Sequence, residues 1–141
     1  VSSILFSDLS QVIYNLWSGF HLNGIPIPAY KSGHVPDHAK PPFITFSVSM
    51  GNLGDVTNQT AFLWLRHTPG SNVNRDRAAV ADQIASAIPT RGKAIAAANG
   101  GGVWISRSGL FLSDNDPEAT DPKPDEEPII GLRVSYSTKT Y

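Results

Sequence analysis

One stretch limits how this chain can fold. Between Asp114 and Glu127 stand seven acidic residues, Asp114, Asp116, Glu118, Asp121, Asp125, Glu126 and Glu127, against one base, Lys123. Pro117, Pro122 and Pro124 interrupt the stretch and Pro128 closes it. Proline lacks an N–H donor and fixes φ, so this stretch is neither a regular helix nor a central strand. Strand-like sequence flanks it on both sides. The pattern predicts a β-hairpin whose loop, residues 113–128, is long, acidic and proline-rich.

The same stretch accounts for a hidden charge asymmetry. The formal net charge is −1. The acidic stretch contributes −6, and the remainder, with ten Lys+Arg against five Asp+Glu, contributes +5. Two patches of opposite sign on one chain point to a surface that meets something. A near-zero total argues against a dedicated nucleic-acid binder, whose domain is normally strongly basic.

With 141 residues the chain fits a single domain, 1–141. It contains no cysteine, which excludes disulfides, thiol catalysis and Cys-based metal sites. Apolar runs fall well short of the roughly 20 residues that span a bilayer. The first residues lack the basic segment of a signal peptide.

Apolar spacing predicts a helix over residues 3–18, with Leu5, Leu9, Val12, Ile13, Leu16, Trp17 and Phe20 on one face. Residues 21–42 read as an extended loop because Gly24, Pro26, Pro28, Gly33, Pro36, Pro41 and Pro42 forbid a long element. Ile25, Ile27 and Tyr30 are its candidate anchors. Residues 43–50 alternate in β fashion. Residues 58–67 form a second strand, apolar on both sides, which predicts cover on two faces. A second helix spans 73–88, capped by Asn72 or Asn74 and stopped by Pro89. Residues 93–98 read as a short helical turn. Residues 103–112 and 129–138 form the last two strands, with a bulge expected at Ser108 and Gly109. The resulting order, α-β-β-α-β-β, predicts an α+β fold: a mainly antiparallel sheet of about four strands with two main helices packed on it.

Motifs for chemistry are sparse. His34 and His38 are spaced for zinc on a helix, but Pro36 stands between them, and they read as a solvated loop. Asp114-Asn115-Asp116 opens like a calcium loop, yet Ala119 occupies the position that needs glycine. Gly100-Gly101-Gly102 leads into a strand instead of the helix N-terminus that a phosphate cradle requires. No Gly-x-Ser-x-Gly elbow or Walker pattern occurs. No catalytic, metal or cofactor residue is assigned. Arg75 and Arg77 open the second helix, where cations oppose the helix dipole. A neighbouring acidic group would offset that cost. Asp114, Asp116, Glu118, Asp121, Asp125, Glu126 and Glu127 are the candidate donors, and with Arg75 and Arg77 they form the expected subunit or partner interface.

Four features together carry a resemblance. An amphipathic helix precedes a proline-rich loop entering a strand, Ala39-Lys40-Pro41-Pro42-Phe43-Ile44-Thr45-Phe46. A second strand, Gln59-Thr60-Ala61-Phe62-Leu63-Trp64-Leu65, leads to an Ala-rich helix, Arg77-Ala78-Ala79-Val80-Ala81-Asp82-Gln83-Ile84. A late hairpin has a long loop. The final strand is Leu132-Arg133-Val134-Ser135-Tyr136-Ser137. This layout resembles the tail-terminator or tail-completion proteins at the neck of long-tailed bacteriophages. The resemblance implies a structural virion protein that catalyses no reaction and takes no cofactor. It implies a homo-oligomeric ring, a hexamer, that caps the tail tube and joins it to the head connector. The implied partners are the tail-tube protein and the connector or stopper protein. DNA would pass through the lumen without specific binding, with no membrane involved. The implied location is the virion neck, and the host cytoplasm during assembly.

Rival readings differ in class. Another neck component, such as a head-closure or connector adaptor protein, or a tail-tube subunit, would share the size and the ring. A metal-dependent hydrolase would use Asp114, Asp116 and Asp121 around a cation. A small-ligand domain would line one pocket with Trp17, Trp64 and Trp104. The ring reading makes a direct prediction. Replacing Asp116–Glu126 by a short Gly-containing turn leaves the chain folded but weakens assembly, measured by light scattering.

Overall fold

Strand alternation sets the centre of the molecule, and two helices close over one side of it. The computed structural model describes residues 6–37, 39, 42–50, 56–66, 72–98, 100–113 and 129–140. In chain order the elements are α1 (Phe6–Trp17), β1 (His21–Leu22), β2 (Ile25–Pro26), β3 (Ala29–Lys31), β4 (Phe43–Phe46), β5 (Val56–Arg66), α2 (Val73–Ala87), β6 (Lys93–Ala96), β7 (Gly102–Ser113) and β8 (Ile129–Thr140). Strands β1 and β2 form a small antiparallel sheet. The other six form one sheet in the order β3-β4-β5-β8-β7-β6.

The expected four-stranded, mainly antiparallel α+β sheet in the order α-β-β-α-β-β is therefore corrected. The observed order is α-β-β-β-β-β-α-β-β-β, and the large sheet is mixed because β3 runs parallel to β4. The extra strands come from two places. Residues 21–42 are not merely an extended loop. Asn23 and Gly24 both have positive φ, at 52° and 79°, and join β1 to β2 with Leu22 opposite Ile25. An Asn-Gly pair is the favoured two-residue hairpin turn because its twist matches the strands it joins. Ala29–Lys31 then pairs beside β4, Ala29 opposite Ile44. Lys93–Ala96 is a strand and not a helical turn. It is held by pairing with β7, Ala94 opposite Trp104. Four residues gain little from helix propensity alone, so the available sheet edge decides their conformation.

The period of two places the core on one face. Ala61 lies opposite Val134, and Leu63 opposite Leu132. These side chains join Ile44 and Phe46 of β4 and Val103 and Ile105 of β7 in one buried cluster. Helix α1 adds Leu9, Val12, Ile13 and Trp17, and α2 adds Val80, Ile84 and Ile88. The described part of the stripe expected of the first helix is thus its core face; Leu5 lies outside the described residues. The bulge lies between Arg107 and Gly109, where the β7–β8 register shifts.

Polar groups inside this core have partners. Trp17 Nε1–H donates to Tyr136 Oη at 3.1 Å, and their rings tilt at a centroid distance of 5.5 Å. Burial pushes the Tyr136 phenol above its ordinary range, so it stays protonated. Gln59 is 2% exposed and continues the sheet with its side chain. Its Oε1 accepts from the Ser49 N–H, and its Nε2 donates to Ser49 O and to Thr138 Oγ1. This explains why β4 ends at Phe46 although the alternating sequence runs on to Met50: a side-chain amide replaces the ladder there.

Helix α2 is fixed at both ends. Asn72 Oδ1 accepts from the Arg75 N–H at 3.0 Å, the expected N-cap. At the other end Arg107 Nε donates to Ile88 O at 3.1 Å. A cation beside the last carbonyls also complements the helix dipole. Gln83 exchanges two bonds with the His21 backbone, tying α2 to the small sheet.

Removing the Tyr136 hydroxyl tests the buried bond. Tyr136→Phe leaves Trp17 Nε1–H without an acceptor inside the core. The expected loss is about 1–3 kcal/mol of unfolding free energy. It is read in urea as a lower midpoint with unchanged slope.

Candidate interaction surfaces

The helices cover one face of the large sheet. On the opposite face β5 presents Phe62 and Trp64, both half-buried. Their rings stack at 5.6 Å with an interplanar angle of 27°. Trp64 Nε1–H donates to Thr45 Oγ1 at 3.0 Å. Tyr30 and Phe43 meet edge to face at 5.9 Å beside them. Thr45, Phe62 and Arg133 form one cross-strand row. The second apolar set of β5, expected to lie under another layer, is instead shielded by neighbouring aromatic rings among the described residues.

At the other end of the same face stands Trp104, 41% exposed. It is in register with Lys139, which is in register with Val56. A groove of about 500 Å³ runs here between Val56, Trp104, Ser106, Ser137 and Lys139. Gly92 lies against the indole, with φ at 92°. A Cβ at this position would come within 2.2 Å of the ring. Trp17 sits in the core, on the opposite side of the sheet from Trp64 and Trp104. The three tryptophans therefore do not line one pocket.

A larger groove, of about 620 Å³, opens between α1 and the edge strand β3. Ser10 and Tyr14 of α1 form one wall, and Tyr30 and Lys31 of β3 with His34 form the other. Phe46, 3% exposed, contributes to the floor. Tyr14 is 46% exposed and approaches the Phe46 ring at 6.2 Å. Lys31 Nζ stands 5.4 Å from the centre of the Phe6 ring, within cation–π range. Ser10 Oγ is buried with no hydrogen-bond partner among the described residues. Among the described residues the lining contains Lys31 and His34 and no carboxylate.

The expected interface residues fall in different surroundings. Asp114, Asp116, Glu118, Asp121, Asp125, Glu126 and Glu127 lie outside the described residues, as does His38. Their point of attachment is described: Ser113 and Gly131 pair at the end of the β7–β8 hairpin. Arg75 is exposed, and its Nε lies 3.9 Å from Asp76 Oδ1. Arg77 is only 6% exposed, and its guanidinium donates to Asn74 Oδ1 at 2.9 Å. The pair is split between surface and interior. Among the described residues no three His, Asp or Glu side chains converge as a metal site. No motif in the sequence singles out the α1–β3 groove. Its one signal is Tyr14, an aromatic residue outside the apolar stripe of α1.

Comparison with protein-family models, with curated proteins and with solved structures finds no match.

The Trp104 corner yields a prediction. Gly92→Ala meets both a left-handed backbone and the indole ring. It destabilises by about 1–3 kcal/mol. The displaced Trp104 shifts tryptophan emission to the red.

Proposed function

We propose that this chain is a structural virion subunit. It forms a ring that caps a phage tail tube and joins the tube to the head connector. One observation carries the reading: its opposite charges are attached to different parts of a stiff framework. The acidic segment is joined to the end of a hairpin with 12-residue arms. Cations stand elsewhere, at Lys31 beside α1 and at Lys139 on the helix-free sheet face. A ring larger than a dimer needs two different complementary surfaces on each subunit. Unlike patches of opposite charge on one chain meet that need and set registry between copies. The helix-free sheet face, with its aromatic rings, offers further area for contact with a tube or connector.

The test is the mass of the full chain across a concentration series, by sedimentation velocity, alone and with its cognate tail tubes. Closed rings are expected in solution or on the tubes. A chain that stays monomeric in both conditions overturns the proposal.

A further inference from the structure

We infer that the α1–β3 groove is the receptor for the acidic, proline-rich segment Asp114–Glu127 of a second copy. The inference rests on the ring reading and names the contact that would join neighbouring subunits. Two properties of the groove match that segment. Its aromatic surface, Tyr14 above Phe46, is the kind that receives proline rings. Proline-rich segments dock in aromatic grooves because they lose little conformational entropy on binding. Its Lys31 ammonium and His34 imidazole stand in a lining that, among the described residues, holds no carboxylate. The segment carries seven of the twelve acidic residues in the chain and three internal prolines.

Donor and acceptor are different surfaces of one chain. The segment follows β7, an inner strand, whereas the groove lies along β3, an edge strand on the other side of the sheet order. Copies linked in this way join head to tail, the arrangement that closes into a ring when the rotation between neighbours allows it.

The experiment uses the full chain and a fluorescent synthetic peptide of residues 113–128. Anisotropy should show saturable binding that weakens severalfold when salt rises from about 50 to about 500 mM. Lys31→Glu should weaken it about tenfold or more, equivalent to about 1.4 kcal/mol. A Tyr14→Ser variant should weaken it without changing the salt dependence. Complementation then separates contact between copies from contact within one. One full-length variant carries Lys31→Glu and His34→Glu. The other carries Asn or Gln at the seven acidic positions. Neither should associate alone, and the mixture should form a one-to-one pair. No peptide binding, binding indifferent to Lys31→Glu, or a mixture that stays monomeric overturns the inference. Wild-type rings that survive the groove variants would overturn it and leave the ring reading standing. Complementing pairs from a wild-type chain that forms only open chains would do the reverse.

Discussion

The antiparallel union of β5 with β8 is the constraint on which the rest depends. It runs the full 11 residues of β5, from Val56 opposite Lys139 to Arg66 opposite Ile129. Because side chains alternate, that register places Ala61, Leu63, Val134 and Leu132 together on one face. A slip of one residue would send them all to the other face and bring Phe62 and Arg133 inward. The helices have one place to go once this face exists. Trp17 reaches Tyr136 of β8 from α1, and Val80, Ile84 and Ile88 close the same core from α2. A buried, satisfied bond between α1 and the central strand then fixes how that helix lies across the sheet.

What remains outside the core defines the surfaces available to partners. The face away from the helices keeps aromatic residues that stack on one another, with hydroxyl and basic side chains around them. Along the β3 edge, α1 leans over the sheet and leaves a groove with Tyr14, Lys31 and His34. At the end of the longest hairpin the chain carries most of its negative charge. The acidic segment joins the framework at the Ser113–Gly131 end of the β7–β8 hairpin, whereas Lys31 stands on the edge strand β3. That is the physical basis for reading the chain as an assembling component.

Much of the framework was legible before any coordinates. The second helix was marked by Asn72 before it and Pro89 after it. Strands β4, β5, β7 and β8 showed alternation or β-branched and aromatic runs, and Ser108-Gly109 marked the bulge. The short strands were harder. Asn23-Gly24 was a hairpin signal overshadowed by the prolines around it. Ala29–Lys31 and Lys93–Ala96 have no alternation long enough to read. Each is a strand because a neighbour offers backbone partners. For the proposed contact, the acidic donor was plain in the sequence, whereas the groove was not. Tyr14, Lys31 and His34 come from a helix, a strand and a loop that meet only after folding.

Local order along the chain was enough to establish the two long helices, the long extended segments, and where the negative charge accumulates. Those properties depend on neighbours a few positions away, through side-chain period, capping and proline geometry. Folding in three dimensions decided the mixed sheet, the bare aromatic face, the burial of Arg77 beside an exposed Arg75, and the groove under α1. These depend on pairing and packing between residues far apart in sequence, which no local pattern encodes.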